Sequence, residues 1–395
     1  MRFTIIGITD QPSPEFTSKV QTVISQGKVF SGGKRHHALV DALLPDDAVW
    51  IDITVPLSSV FERYRQYDEI IVFASGDPLF FGFANTIRRE MPEAEVRVFP
   101  AFNSLQLLAH RLVVSYHDMC IVSLTGRPWH EFDRAIIEGQ TKIGVLTDKE
   151  HTPGAVAARM LEYGYRKYQM YVGEHLGNPE KERVTAFSLE EAQNTKFSHP
   201  NCLMLVGCRQ RRWGIPDQEF ELLDGRERMI TKMPIRLLSL QAMDLPSCHT
   251  LWDIGFCTGS VSIESKLEFP HLNVESFEIR PECELIMREN CRKFGAPGIN
   301  VHIGDFLTSD CTEINRPDAV FIGGHGGQLS NIMRKAAGYL TEGGCIVMNS
   351  VTAESRRMFE DACSDLGLFP QPPLHIQVND YNPIDILKCI LPSSS

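Results

Sequence analysis

Three acids in the second half of the chain stand where a nucleotide-like ligand is gripped. Asp253 closes the apolar run Thr250–Ile254, and the text continues as DIGFCTGSVSIES, a strand, a glycine turn and a helix start. Gly255 lets the backbone turn, and Gly259 sits where a helix approaches its ligand closely. The loop also contains Thr258, and Cys257 stands where such loops often have a middle glycine. Free amides at the helix start suit a carboxylate or phosphate. Glu278 follows 19 residues after Gly259 at the end of the next predicted strand, a position suited to a ribose diol. Gly304-Asp305-Phe306 ends a third, where Asp305 suits an adenine amino group. Either of the first two acids alone reads equally well as a cap or a surface residue. Together with the third and the glycines, they favour a cofactor.

Two further loops belong to the same edge. FIGGHGG (321–327) and NSVT (349–352) follow predicted strands, so Gly324, His325 and Asn349 face the ligand crevice of an open α/β sheet. The His325 imidazole suits polarisation of a conjugated substrate, against the plainer reading of a loop residue at the entrance. In the first half, ASGDPLFFG (74–82) puts a Gly-Asp-Pro turn at a strand end. Such a tripeptide alone is usually an ordinary turn. GGKRHHAL (32–39) is a basic helix start, normally a solvated one. Its Arg35 and His36 become candidate anchors if the substrate carries many carboxylates.

The elements that must position these loops alternate β-rich runs with helical stretches, the pattern of α/β layers around mainly parallel sheets. The runs are 3–8, 48–53, 69–74, 95–99, 119–123, 142–146 and 168–173, then 250–254, 273–278, 300–303, 318–322, 344–349 and 385–391. A chain of 395 residues exceeds one ordinary core and suits two. Residues 211–230 lose periodicity and read as a linker between domains 1–210 and 231–395. Hydrophobic residues make up 43% and charged residues 23%, as in folded globular chains. A net charge of −11 argues against nucleic-acid binding. No apolar run reaches the roughly 18 residues that span a bilayer, and the opening residues do not read as a signal peptide, so a cytoplasmic protein without membrane contact is expected. The 11 cysteines show no metal spacing, and buried thiols are expected.

The second half, from 231 to 391, resembles the class I S-adenosylmethionine (SAM) methyltransferases. TKMPIR, DIGFCTGSVSIE, FIGGHGG and NSVT are similar to the carbon-15 methylating, decarboxylating corrin enzymes. Pro234 departs from that pattern, standing where an acid is expected. ASGDPLFFG, FPAFNSLQLLAHRL, SLTGR and GEHLGNPEKERV resemble the class III tetrapyrrole methylases, in particular the corrin carbon-5 enzymes, over residues 2–209. Here GITDQPSP lacks the family's second glycine, and Thr125 replaces a common His.

The resemblance implies a two-lobed class III methylase domain followed by a Rossmann-like class I domain, both α/β. SAM would be held by Gly76, Asp77, Pro78, Phe81 and Ser104, with Leu124 and Thr125, in the first. In the second it would be held by Asp253, Gly255, Thr258, Gly259, Glu278, Asp305 and Phe306. It further implies a precorrin or cobalt-precorrin substrate contacted by Arg35, His36, Gly324, His325 and Asn349, with His325 the catalytic candidate. No protein-bound metal is expected, and a homo-oligomer is. The implied reaction of corrin (cobalamin) biosynthesis methylates carbons 5 and 15 and removes the ring-C acetate carboxylate. The alternative keeps one domain as a binding or assembly module.

Overall fold

The computed structural model describes all residues except 209–210, 227–228, 380–381 and 393–395. The chain forms two compact units. The first comprises Met1–Arg127, Thr141–Ala158 and Lys167–Gly207, and the second Pro128–Gln140, Arg159–Arg166 and Cys208–Ser395.

The first unit contains two five-stranded sheets. One is built from β1 (Arg2–Ile8), β2 (Val29–Gly32), β3 (Val49–Asp52), β4 (Glu69–Ser75) and β5 (Glu95–Phe99), all parallel in the order β3-β2-β4-β1-β5. Strands of such a sheet are covered on both faces, which is why β1 reads as a mainly apolar run, with the buried Thr4 its one polar residue after Arg2. Phe3, Ile5, Ile70 and Val72 pack with Val60, Tyr64 and Ile87 on one face, while Ile6, Ile8, Ile71 and Phe73 pack with Val20, Ile24 and Val40 on the other. The second sheet is mixed: β6 (Cys120–Ser123), β7 (Lys142–Leu146), β8 (Tyr168–Glu174), β9 (Arg183–Phe187) and β10 (Asn201–Gly207), ordered β6-β7-β10-β8-β9. Only β6 and β7 run parallel.

The second unit has one sheet of β11 (Thr250–Ile254), β12 (Asn273–Glu278), β13 (Ile299–Ile303), β14 (Ala319–Ile322), β15 (Cys345–Ser350), β16 (Phe369–Pro370), β17 (Leu374–Ile376) and β18 (Ile384–Ile390). The order is β13-β12-β11-β14-β15-β18-β16, with β17 also on β18. β11 to β15 are parallel and β18 is antiparallel to β15. Alternate residues of neighbouring strands separate cleanly between two cores. Trp252, Ile254, Val320, Ile322, Ile346 and Met348 face Met333, Phe359 and Ala362. Leu251, Val274, Ala319, Phe321 and Val347 face Ile235, Leu240 and Val261. The order reverses between β11 and β14, which makes their carboxyl ends the ligand crevice.

Each of the thirteen predicted strands is present. β2, β9, β10, β16 and β17 were not anticipated. Residues 211–230, read as a linker, carry Ile215, Phe220, Leu223 and Ile230 into a core with Phe256, Ile263, Cys283 and Met287. Their burial follows from apolar side chains spaced irregularly along a coil, which periodicity does not reveal. The boundary residues 209 and 210 lie outside the described residues, as do 227 and 228.

Candidate functional site

In the first unit β1, β4 and β5 lie side by side and end together. Gly76 ties the three ends: its amide donates to Ile8 O at 2.8 Å and its carbonyl accepts from Ala101 N at 3.2 Å. Its φ of +58° and the 2.7 Å that would separate a Cβ from Asn103 Cα both require glycine. Asp77 Oδ1 accepts from Leu79 N at 2.9 Å and fixes the turn. Asn103 caps the helix Ser104–Leu112, accepting from Gln106 N at 2.9 Å while Gln106 Oε1 accepts from Asn103 N at 3.0 Å.

A cavity of about 160 Å³ is lined by Gly76, Ser104 and Arg35, together with Asp10, Asn201 and Cys202. Asp77, Pro78, Phe81, Leu124 and Thr125 are not among its lining residues. Phe81 instead lies under the Arg127 guanidinium at 4.9 Å. Asp10 Oδ1 accepts from Arg35 Nη1 and its Oδ2 pairs with His175 Nδ1 at 2.8 Å. Arg35 Nη2 and His36 Nε2 both reach Ser75 Oγ, at 2.8 and 2.9 Å. Burial, reinforced by the Arg35 charge, pushes His36 down to about 4, so at neutral pH it offers no positive charge to a carboxylate. Asp10 is a strand-end acid, and the rule that finds Glu278 and Asp305 also finds it in GITDQPSP. Asn201 and Cys202 escape because β10 was not predicted.

In the second unit Gly255 donates to Phe277 O at 2.8 Å and Gly323 donates to Ile254 O at 2.8 Å. The loops after β11 and β14 therefore pass back to back: a Cβ on Gly255, whose φ is +79°, would lie 2.8 Å from Gly324 N. Beside them a cavity of about 510 Å³ collects Gly255, Glu278, Asp305, Phe306, Gly324 and His325. Arg226, Met229, Arg280, Gln328 and Ile332 also line it and were not foreseen. Arg226 and Met229 come from the supposed linker.

Glu278 is buried and already fully engaged. Its Oε1 accepts from Arg280 N and Nε at 3.1 and 2.9 Å, and its Oε2 from Cys257 N and Arg280 Nη2 at 2.9 and 3.0 Å. A carboxylate has about four acceptor sites, so a diol on Glu278 must displace part of the Arg280 fork. Asp305 Oδ1 accepts from Leu307 N at 2.9 Å. Phe306 packs edge-on to Phe277 and Trp252. His325 Nδ1 accepts from Gly327 N at 3.2 Å, which leaves the proton of the neutral ring on Nε2.

Asp253, Thr258, Gly259 and Asn349 are not among the cavity's lining residues. Gly259 has φ +74°, the left-handed conformation that favours glycine at this helix start, and a Cβ there would also meet the mobile tip of Met287, whose Sδ lies 2.1 Å away on the helix Glu282–Phe294. Asn349 Oδ1 accepts from Ser239 Oγ at 3.0 Å. Among the described residues Asn349 Nδ2, Thr258 Oγ1 and Asp253 Oδ1 are buried without a partner. Pro234 occupies the first turn of the helix Met233–Ala242, where a missing amide costs nothing.

Asp253 supports the helix Ser260–Glu268, its Oδ2 accepting from Ser262 N and Oγ. Burial raises its carboxyl to about 7, against the lowering by Ser262. Below about pH 4 it is protonated folded or unfolded, and between about 4 and 7 only the folded chain keeps the proton, so its contribution to stability is lost as pH rises through that window. The melting temperature of Asp253→Asn, relative to the native chain, is expected to increase from pH 4 to 8. A pH-independent difference in thermal melts would contradict this.

The cavity suits an adenosyl ligand. Its volume falls in the range of about 300 to 1,000 Å³ typical of ligand pockets. Two carboxylates lie among the apolar walls Ile254, Phe277, Leu307 and Ile332, and a Cβ at Gly304 or Gly324 would meet nothing within 4 Å. Two α/β cradles of different topology thus define a two-site group transferase of the methylase class. The tetrapyrrole (corrin/porphyrin) methylases match residues 14–193, and the precorrin methyltransferase domain matches residues 223–391. A Sinorhizobium protein named precorrin-6Y C(5,15)-methyltransferase [decarboxylating] is 32% identical over 375 residues, covering 92% of this chain and 88% of its own. The chain belongs to the precorrin-6Y C(5,15)-methyltransferase (decarboxylating) family. Two Salmonella typhimurium proteins match shorter stretches. A cobalt-precorrin-6B C(15)-methyltransferase (decarboxylating) is 32% identical, covering 41% of this chain and 83% of its own. A cobalt-precorrin-7 C(5)-methyltransferase is 28% identical, covering 46% and 88%. No helix among the described residues is long and apolar enough to cross a membrane.

Proposed function

We propose that the first unit methylates carbon 5 of a precorrin or cobalt-precorrin, and that the second methylates carbon 15 and removes the ring-C acetate carboxylate as carbon dioxide. Each unit uses its own SAM. The observation that carries this reading is that each cradle is lined wholly by residues of its own unit. Single-function relatives, one named for each carbon, support it.

SAM supplies a methyl already activated by its sulfonium. In the second unit Gly255 and Gly324 would let the chain's backbone approach the cofactor, Glu278 would take the ribose diol with Arg280 yielding, and Asp305 would take the adenine amino group. Phe306 and Ile332 exclude water. As the acetate carbon–carbon bond breaks, its electron pair enters the macrocycle and carbon 15 takes the methyl as the donor's carbon–sulfur bond breaks; carbon 15 then gives up its hydrogen as a proton, and the methylene left by the acetate takes one up to become a methyl. The Nε2–H of His325 stabilises negative charge developing on the conjugated system. In the first unit Gly76 and Ser104 shape the cofactor cleft, and Arg35, preorganised by Asp10 and Ser75, pairs with a substrate carboxylate.

Calorimetric titration of the full chain with SAM is expected to give two sites. One site would favour a single active domain beside an assembly module. Glu278→Gln and Asp305→Ala are each expected to weaken the second-unit site by about 1 to 3 kcal/mol and to leave the other unchanged. Unaltered affinity at both sites would remove these residues from the cofactor.

A further inference from the structure

Putting a methyl on a bridging carbon that carries a hydrogen releases one proton, and the carbon-5 reaction needs an acceptor for it. This inference rests on the assignment of carbon 5 to the first unit. We propose that Asp10 is that acceptor, with Arg35 and His175 as its positioning residues.

Asp10 follows β1, at the carboxyl end of a strand flanked by the two others that shape the cleft, and it lines the cavity with Gly76 and Ser104. Only 7% of it is exposed. Its two oxygens are held from opposite parts of the chain, Oδ1 by Arg35 and Oδ2 by His175, so the carboxylate cannot rotate away. The loop bearing His175 is itself pinned. His175 N donates to Pro200 O at 2.9 Å, Asn178 Nδ2 donates to the Asp10 carbonyl at 3.2 Å, and a Cβ on Gly177 would lie 2.8 Å from Thr9 Cβ. His175 adopts φ +49°, a conformation disfavoured for a side-chain-bearing residue and concentrated at functional sites. A structural ion pair needs neither that strain nor a place on the cavity wall.

The step balances. The donor's carbon–sulfur bond breaks as the methyl bonds to carbon 5, the carbon–hydrogen bond there then breaks, its electron pair returns to the macrocycle, and the proton passes to the Asp10 carboxylate. The carbon that has accepted the methyl is strongly acidic, so a carboxylate paired with an arginine is a sufficient base. A positioned acid or base contributes about 10² to 10⁴-fold to rate.

The test follows single-turnover methylation of precorrin by the full chain, with product mass and SAM titration read in parallel. Asp10→Ala is expected to slow carbon-5 methylation about 100-fold or more, leave decarboxylation intact, hold SAM affinity within about twofold, and regain part of its rate with added formate. His175→Asn, which keeps a donor for Oδ2, should retain more rate than His175→Leu. A wild-type rate in Asp10→Ala overturns the proposal. So does a loss that formate does not relieve, because it marks Asp10 as a tie between loops. Loss of decarboxylation instead of carbon-5 methylation overturns the unit assignment itself. If Asp10→Ala fails to fold, the isosteric Asp10→Asn decides by the same rate and affinity criteria.

Discussion

Gly255→Val is expected to abolish the decarboxylating methylation and to destabilise the second unit by about 3 kcal/mol or more. Two independent penalties act at this position. Valine is β-branched and φ is +79°, outside the region such residues tolerate. The added Cβ would also stand 2.8 Å from Gly324 N and 2.9 Å from Gly324 O, both backbone atoms. The facing loop cannot retreat without losing the Gly323 N–H bond to Ile254 O that closes the switch point. Denaturant melts would read the stability, and carbon dioxide release the activity. Full activity in this variant would mean that the two loops are not the floor of the reacting site.

A comparable loss of stability is expected from Arg236→Met. Arg236 is fully buried, and its guanidinium is shared among Glu264 Oε2 at 3.0 Å, Thr231 O at 2.8 Å, Asp217 Oδ1 at 3.4 Å and Ile215 O. Glu264 is equally buried and also accepts from Gly214 N at 2.7 Å. Removing one member of such a pair strands the other charge, at a cost of about 3 to 5 kcal/mol. The same guanidinium ties Ile215, Asp217 and Thr231, on either side of Arg226 and Met229 at the cavity, so substrate KM should rise as well. Adding Glu264→Leu should recover part of the loss in urea melts, since the stranded charge is then gone. A single-variant effect below about 1 kcal/mol would contradict this account.

What could be read from the residues alone divides along physical lines. Strands buried on both faces, such as Phe3–Ile8 and Ala319–Ile322, announce themselves as apolar runs. Their loops follow from the rule that parallel strands open their carboxyl ends to ligands. Gly76, Gly255, Glu278 and Asp305 were legible for that reason. β10 carries an equally apolar run, Cys202–Val206, but comes just before an aperiodic, charged segment, and with it went Asn201 and Cys202. Arg226 was hidden because residues 211–230 have no period to betray that Ile215, Phe220, Leu223 and Ile230 anchor them. Spacing also cannot tell why a glycine is present: Gly259 serves a left-handed backbone turn at a helix start, whereas Gly255 serves a close approach of two loops. Nor does it show that Arg280, two residues after Glu278, occupies the acceptor sites assigned to a ribose.

The division of labour between the units is tested most directly by Gly76→Val. Its φ of +58° and the 2.7 Å approach of a Cβ to Asn103 Cα confine the damage to the first unit's cleft. The full-length variant, given SAM and either metal-free or cobalt-loaded precorrin, would be followed by mass spectrometry. One methyl gained and one carbon dioxide lost is the predicted product, because the second unit retains its cavity. A product that keeps its carboxylate, or one that carries both methyls, would contradict the assignment of the two reactions to the two units.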